Sequence, residues 1–511
     1  MQRLLKRWHR IDFLDLHALN WLDIFIFATL SGLALQWRLC QYLWKGIWLD
    51  ESFTLLTALM DDPLLTICYR NMDKNPALYE FLLHFLVRNI SYELDIARLP
   101  SVIFSTLTVY FMYRIFRDFE GRAAGIAAAL LYAYQNYSVT YSHEVRAYAL
   151  LGLFTSMAIW GFLRWIESPH ERRFLVATLI GTLGAAYTHN FGLWVFIMQI
   201  LFGLVIPSVR ENLRPHYWLY MGLFLLAYAP QGALSSVVFL SGKESWAPRP
   251  GWSDWSYMIT YFLNGTPYWI YYGKDQAKDW LTLSVMGLTL LALLRTYMLN
   301  KGFERLVFLI FSGLGMMLMY FLLSQVRSCW LDRYLMPASV GFLAMVVAVV
   351  FSYPVLFRLG LLAGLGLIFT EGSHPYSYPN LGIDRLVTRI QELNPHRRYA
   401  MFIHPDYMLL PVLYHYDMRL FRESARNTLE PVQKMKLLSE EVGIWATDDY
   451  DGRRPCWFES ADTVLVIARG QDSPFVKALE KDFVITGPPI YVAPHLPIIL
   501  WAYKKSQYRK N

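Results

Sequence analysis

Trp-Leu-Asp-Ile-Phe-Ile-Phe-Ala-Thr-Leu-Ser-Gly-Leu-Ala-Leu-Gln-Trp-Arg-Leu (21–39) is soon followed by Trp-Leu-Asp-Glu-Ser (48–52). The first stretch is close to the roughly 20 apolar residues that a helix needs to cross a bilayer. The second sets Asp50 and Glu51 just past it. Carboxylates are costly near a bilayer and rare there unless they have work to do. Outward from this point the same texture repeats. The chain has 511 residues, 55% hydrophobic and only 17% charged, against about 25% charged in soluble domains. Repeated apolar stretches in such a chain predict a mainly α-helical, polytopic membrane protein. The net charge of +7 does not call for nucleic acid. The basic residues sit in short loops between apolar segments, as the positive-inside rule predicts. Residues 1–19 are basic and amphipathic, with no evident cleavable signal peptide, and the segment after them is long enough to span.

The basic loops give a topology. Arg3, Lys6, Arg7 and Arg10 put the N-terminus in the cytoplasm, so the first span runs outward. The next spans, 99–116 and 123–141, flank a basic turn with Arg114, Arg117 and Arg122. That turn is inward, which leaves 42–97 outside as one loop and places 141–148 outside as well. Further spans are expected near 148–166, 174–188, 191–207, 217–236, 280–297, 304–323, 335–352 and 355–371, about eleven in all. The remaining inward turns hold Arg164, Arg172 and Arg173, then Arg210 and Arg214, then Arg295, Lys301 and Arg305, and last Arg358.

Within the first outer loop, 52–60 and 76–87 are apolar but too short to span, and read as two interfacial helices. Pro76 suits the first turn of the second. Residues 237–279 form another outer loop rich in Trp, Tyr, Pro and Gly, a length typical of lids and binding elements. Residues 1–371 therefore read as the transmembrane domain. Residues 372–511 gain charge and read as a small extracytoplasmic α/β domain, with strands at 399–404, 463–468 and 498–503 and a helix at 473–483. The four cysteines, Cys40, Cys68, Cys329 and Cys456, fall on or near the outer side. Disulfides are open to them in an oxidising compartment, as is plain burial as small apolar residues, and their spacing gives no metal motif.

Several outer residues are candidates for chemistry. Asp50 is within reach of water and of lipid headgroups, and an ionised carboxylate there can take a proton from an acceptor hydroxyl. Asp50 or Glu51 can equally cap the helix that starts near Ser52. Tyr-Ser-His-Glu-Val-Arg-Ala-Tyr (141–148) gathers His143, Glu144, Arg146 and Tyr148 between two spans. An ordinary polar turn with two belt tyrosines explains the same residues. Lys74, at the start of the second interfacial helix, suits a phosphate, or a lipid headgroup as a simple anchor. Arg333 and Tyr334 close a further basic cluster at 326–334, and His189 occupies a tight outer turn. Carboxylates with basic groups on one face suit attack on a sugar carried by a lipid phosphate. That leaving group needs cationic stabilisation more than a general acid.

The order Trp-Leu-Asp-Glu, Asn-Pro-Ala-Leu-Tyr (75–79), Arg-Leu-Pro-Ser (98–101), the 141–148 motif, Tyr-Thr-His-Asn-Phe-Gly (187–192) and Asp-Arg-Tyr-Leu-Met-Pro (332–337) resembles the C-type (GT-C) membrane glycosyltransferases. It is closest to the protein O-mannosyltransferase and aminoarabinose transferase branch, over roughly residues 20–350. The resemblance implies a polyprenyl-phosphate sugar donor and transfer to a glycan, lipid or protein acceptor on the outer face, usually with inversion. It matches Asp50 to the general base and Glu144 to the second acid that shapes the site. Glu51, Lys74, His143, Arg146, Tyr148, His189, Arg333 and Tyr334 then fall to substrate binding. Some relatives hold a divalent cation, Mg or Mn, which Asp50 and Glu144 would ligate here. The single acid of the second motif and nearby Arg146 weaken that case. The first loop departs from the family pattern: Pro76-Ala77 stands for its usual proline pair, and Lys74 comes one place early. Arg333 is thus a rival for the phosphate. The expected setting is a bilayer, a bacterial inner membrane with the C-terminal domain periplasmic. The competing readings are a polymerase or ligase of lipid-linked oligosaccharides, and a flippase of lipid-linked sugars.

Overall fold

The protein is described from a computed structural model, covering residues 20–40, 46–47, 49–72, 75–213, 216–240, 247, 249–263, 279–372, 382–396, 399–448, 463–469, 477, 483–486, 490–491 and 498–505. Its contacts divide the chain into two compact units. One holds residues 1–41, 71–79 and 98–377; the other holds 42–70, 80–97 and 378–511.

The described residues of the first unit form helices joined by turns. Every expected span is mainly helical, but among the described residues six helices are long and apolar enough to cross a membrane: Trp21–Leu39, Leu94–Glu120, Tyr148–Glu167, Asp279–Met298, Phe303–Val326 and Asp332–Phe351. A bent pair, Asn190–Val205 with Pro207–Leu213, makes a seventh if taken as one span. One of the eleven expected spans is interrupted. The expected span 123–141 breaks where Gln135 turns extended, leaving helices Arg122–Tyr134 and Asn136–Ser142. The Gln135 amide then donates to the Phe262 carbonyl at 2.8 Å and to Ser339 at 3.2 Å. Asp332–Phe351 is the most enclosed of the six spans. On the outside, Leu226, Leu283, Leu290 and Leu322 are more than half exposed. An apolar surface of this extent needs lipid against it.

Backbones meet where side chains vanish. A Cβ on Gly341 would lie 2.0 Å from the Ser312 carbonyl oxygen, and one on Gly313 would lie 2.7 Å from Phe342 Cα. The crossing falls on a wide π turn, Phe311–Gly315, where small residues let two helices approach closely. Gly341→Val is expected to cost at least about 1–3 kcal/mol through overpacking. Gly364→Val, with open space around it, should leave the melting temperature of detergent-purified protein unchanged in the same assay.

Charges at one end of the bundle are paired. Asp23 is fully buried and forms a capping box with Asn20. Its carboxylate accepts from Tyr113 at 2.8 Å, Arg117 at 2.6 Å and Arg122 at 2.8 Å. Asp118 accepts from Arg114 at 3.0 Å, Arg117 at 3.2 Å and the Trp160 indole at 3.1 Å. Arg117 and Arg122 therefore join the first span to its neighbours, and Arg114 pairs with Asp118 within its own helix.

The second unit joins first-loop helices to a mixed sheet. Helices Leu49–Ala58 and Leu78–Asn89 stand close to the expected interfacial helices, with a further one, Pro63–Met72, between them. The sheet contains β1 (Ala400–His404), β2 (Ile444–Ala446), β3 (Thr463–Arg469), β4 (Phe483–Ile485), β5 (Ile490–Tyr491) and β6 (Ile498–Lys505). Its order is β2-β1-β3-β6-β4, with β5 also on β6. β1 is parallel to β2 and β3, while β6 runs antiparallel to β3, β4 and β5. The three expected strands appear as β1, β3 and β6. The expected helix at 473–483 lies mostly outside the described residues, and its last residue, Phe483, begins β4. Cys40 and Cys329 are unbridged; Cys456 and the Cys68 side chain lie outside the described residues.

Candidate functional site

In the first unit the 141–148 motif is a bend. Helix Asn136–Ser142 ends, residues 143–147 turn, and Tyr148–Glu167 begins. His143, Glu144, Arg146 and Tyr148 are all buried, far more so than in an ordinary surface turn. Burial of ionisable groups demands partners, and the bend has them on several sides. Ser101 donates to the Arg146 carbonyl at 3.3 Å and meets Tyr79 at 2.8 Å. Arg146 lies over the Tyr148 ring, 5.6 Å from its centre, and donates to its hydroxyl at 3.4 Å.

An aromatic chain links the bend to other loops. Tyr141 and Tyr148 are 5.1 Å apart, Tyr148 and His189 6.0 Å, and His189 and Tyr334 5.0 Å. Arg333 lies over Tyr334 at 5.8 Å. His189 Nδ1 accepts the Phe191 amide at 3.2 Å, which leaves the proton of the neutral ring on Nε2. Glu144, Arg146, Tyr148, His189, Arg333 and Tyr334, scattered over 191 positions of sequence, thus come from one continuous cluster of loops. Tyr137 joins it through its hydroxyl on the Asp332 carbonyl at 2.6 Å and through Tyr261, 5.0 Å away. The sequence reading missed Tyr137 and Tyr261. Tyr137 sits in a short helix with several hydroxyl side chains and Tyr261 in the outer segment 237–279, and neither differs locally from the other tyrosines near it.

His143 faces elsewhere. Its Nε2 meets the Arg38 carbonyl at 2.8 Å. Arg38 is fully buried at the end of the first span and donates to Ser105 at 2.8 Å, to the Ala133 carbonyl at 3.1 Å and to Ser138 at 3.3 Å. This pair fastens the bend to the first span. Arg38→Ala strands those acceptors and should cost about 3 kcal/mol, read as a lowered melting temperature.

In the second unit, Asp50 and Glu51 occupy the first turn of Leu49–Ala58, where acids favour the helix dipole. Glu51 is fully buried and Asp50 partly so, so the adjacent acids have different environments. Lys74 lies outside the described residues. His84 meets the Ala58 carbonyl through Nδ1 at 3.0 Å, and burial pushes its pKa down. Asp61 holds the turn after the first of these helices. It accepts the Asn427 amide at 2.7 Å and pairs with Arg88 at 3.0 Å. A cavity of about 430 Å³ opens here, lined in part by Arg88, Tyr92, Arg422 and Arg426.

The Asn427 amide, aided by Arg88, holds the Asp61 carboxyl below the usual carboxylate range against its desolvation. The folded pKa is depressed, so the contribution is present above the unfolded value, near 3.9, and is lost as pH falls through the folded one. Hydrogen exchange around residue 427 should therefore rise as pH drops below about 4. Once corrected for intrinsic rates, it should lack that acid step in Asp61→Asn.

Among the described residues no three His, Cys, Asp or Glu side chains come together as a metal-ligand set.

Residues 74–233 match the family described as dolichyl-phosphate-mannose-protein mannosyltransferase. No match to this chain is found among curated proteins. Two solved structures of ArnT from Cupriavidus metallidurans share its architecture. The apo form is 15% identical with a TM-score of 0.50, over 84% of this chain and 87% of that one. The form bound to undecaprenyl phosphate is 16% identical with a TM-score of 0.52, over 94% and 97%. With its lipid-facing apolar helices, the chain is an integral membrane protein that has the fold of the polytopic C-type glycosyltransferases.

Proposed function

We propose that this protein transfers a sugar from a polyprenyl-phosphate donor to an acceptor hydroxyl. The observation that carries the reading is the extent of the likeness. It spans 94% of this chain and 97% of an ArnT structure solved with undecaprenyl phosphate, so it is not confined to generic apolar helices. The mannosyltransferase match over 74–233 adds to it. We assign Asp50 as general base. It takes the proton of the acceptor hydroxyl as that oxygen attacks the anomeric carbon. The bond from that carbon to the phosphate oxygen breaks, its electron pair leaves with the lipid phosphate, and the configuration inverts. Arg146 and Arg333, each set over a tyrosine ring, are assigned to the charge that grows on the phosphate. Glu144 is assigned to holding Arg146 and the bend in register.

The positions of the basic turns support an N-terminus in the cytoplasm and residues 372–511 on the outer side; we assign the membrane to a bacterial inner membrane and that outer side to the periplasm. The test uses proteoliposomes of the full chain with labelled undecaprenyl-phosphate monosaccharides and a membrane extract as acceptor source. The expected result is free undecaprenyl phosphate together with a glycosidic product. Translocation of the label without product would make the protein a flippase. Consumption of oligosaccharide donors alone would make it a ligase.

A further inference from the structure

Two helices run away from the 141–148 bend and the 332–335 turn, and both end at a second cavity. Leu163 lies fifteen residues beyond Tyr148, and Phe351 fifteen beyond Met336, each about 22 Å along a helix. The cavity there has a volume of about 300 Å³ and is built wholly within the first unit. It therefore lies at the far end of the spans from the aromatic cluster.

Its lining joins two chemistries. Phe119, Leu309 and Phe351 give apolar wall, and Arg295, Lys301, Arg305 and Arg358 stand around it with a single carboxylate, Glu120. The arginines are held in place. Arg295 donates Nε to the Ser352 carbonyl at 2.7 Å. Arg358 donates to the Phe351 and Tyr353 carbonyls at 3.0 and 3.1 Å, and its Nε is buried with no hydrogen-bond partner among the described residues. Arg305 lies 4.9 Å over the Phe119 ring and reaches Glu120 and Glu167 only at 3.7 and 4.0 Å. Lys301, at an exposed turn, has no ion-pair partner among the described residues. Four cations against Glu120 in the lining and Glu167 beside Arg305 leave two net positive charges. Leu299, Val355 and Leu356 beside it are more than half exposed.

We propose that this cavity binds the headgroup phosphate of an anionic phospholipid in the leaflet opposite the 141–148 bend. Fixed guanidinium groups suit phosphate oxygens, basic pockets between spans suit lipid headgroups, and the exposed leucines suit the acyl chains. A small soluble anion would use the cations but not the apolar surface. The site lies outside the proposed transfer chemistry, so either can fail without the other.

The test is native mass spectrometry and thermal unfolding of detergent-purified full-length protein with phosphatidylglycerol, cardiolipin, phosphatidylcholine or inorganic phosphate. Both anionic lipids should stay bound and raise the melting temperature. Lys301→Glu should weaken them about tenfold with an unchanged lipid-free melting temperature, and Arg305→Gln should weaken them further. Arg210→Gln, in another basic turn, should bind as wild type. Equal retention by Lys301→Glu would overturn the proposal. So would equal binding of phosphatidylcholine, or equal protection by inorganic phosphate, which would show an anion site without lipid.

Discussion

Asp50→Asn is expected to lower kcat by about 10²–10⁴, the usual worth of a positioned general base, with the protein still folded. The substitution separates the two roles open to this residue. A helix-start role in this first turn acts through the dipole, so it predicts a loss of at most about 1 kcal/mol of stability and an unchanged rate. A base cannot be replaced by an amide, which has no basic site in the working pH range. The measurement is single-turnover transfer of labelled sugar in proteoliposomes, normalised to folded protein, across pH. The acidic limb of the wild-type profile should vanish in the variant together with the rate. Turnover at the wild-type level would remove Asp50 from the mechanism. Glu51→Gln gives the contrast. Glu51 is fully buried in the same helical turn, so its loss should reduce the yield of folded protein more than the rate per folded molecule.

Asp23→Ala should be the most damaging single change to stability. The carboxylate is fully buried and receives Arg117, Arg122 and Tyr113, each within 2.8 Å. Its removal leaves those donors facing a void. Breaking a buried pair by deleting one partner costs about 3–5 kcal/mol. Thermal unfolding in detergent should show the loss, while Glu423→Gln, an exposed partner of Arg426, should cost under about 1 kcal/mol. An equal effect of the two would mean that the Asp23 network is no stronger than a surface pair.

The sequence made part of this legible. Apolar stretches gave the helices because spanning length and composition are local properties. Strands β1, β3 and β6 showed as short apolar runs. The 141–148 bend was conspicuous because its charges interrupt apolar sequence. Other features depend on distant partners. Arg117 and Arg122 mark an inward basic turn in the sequence, and their bonds to Asp23, more than 90 positions away, appear only in the fold. Gln135 sits in an otherwise ordinary helical pattern, and its break depends on Phe262 and Ser339, more than 120 positions away. The partners of Asp61 and Tyr92, Asn427 and Arg422, lie more than 300 positions away, where no local pattern points to them.

The bond from Asn427 to Asp61 spans 366 positions, and that separation sets an order of assembly. Ribosomes add about 5–20 residues each second, so the first loop waits roughly 20–70 s for its partner strand of chain. Throughout that interval the Leu49–Ala58 helix, with its acidic first turn, lacks the surface that completes its unit. A nascent chain is therefore equipped with its spans well before the second unit can close, and the newborn protein gains that unit only as its last segment emerges.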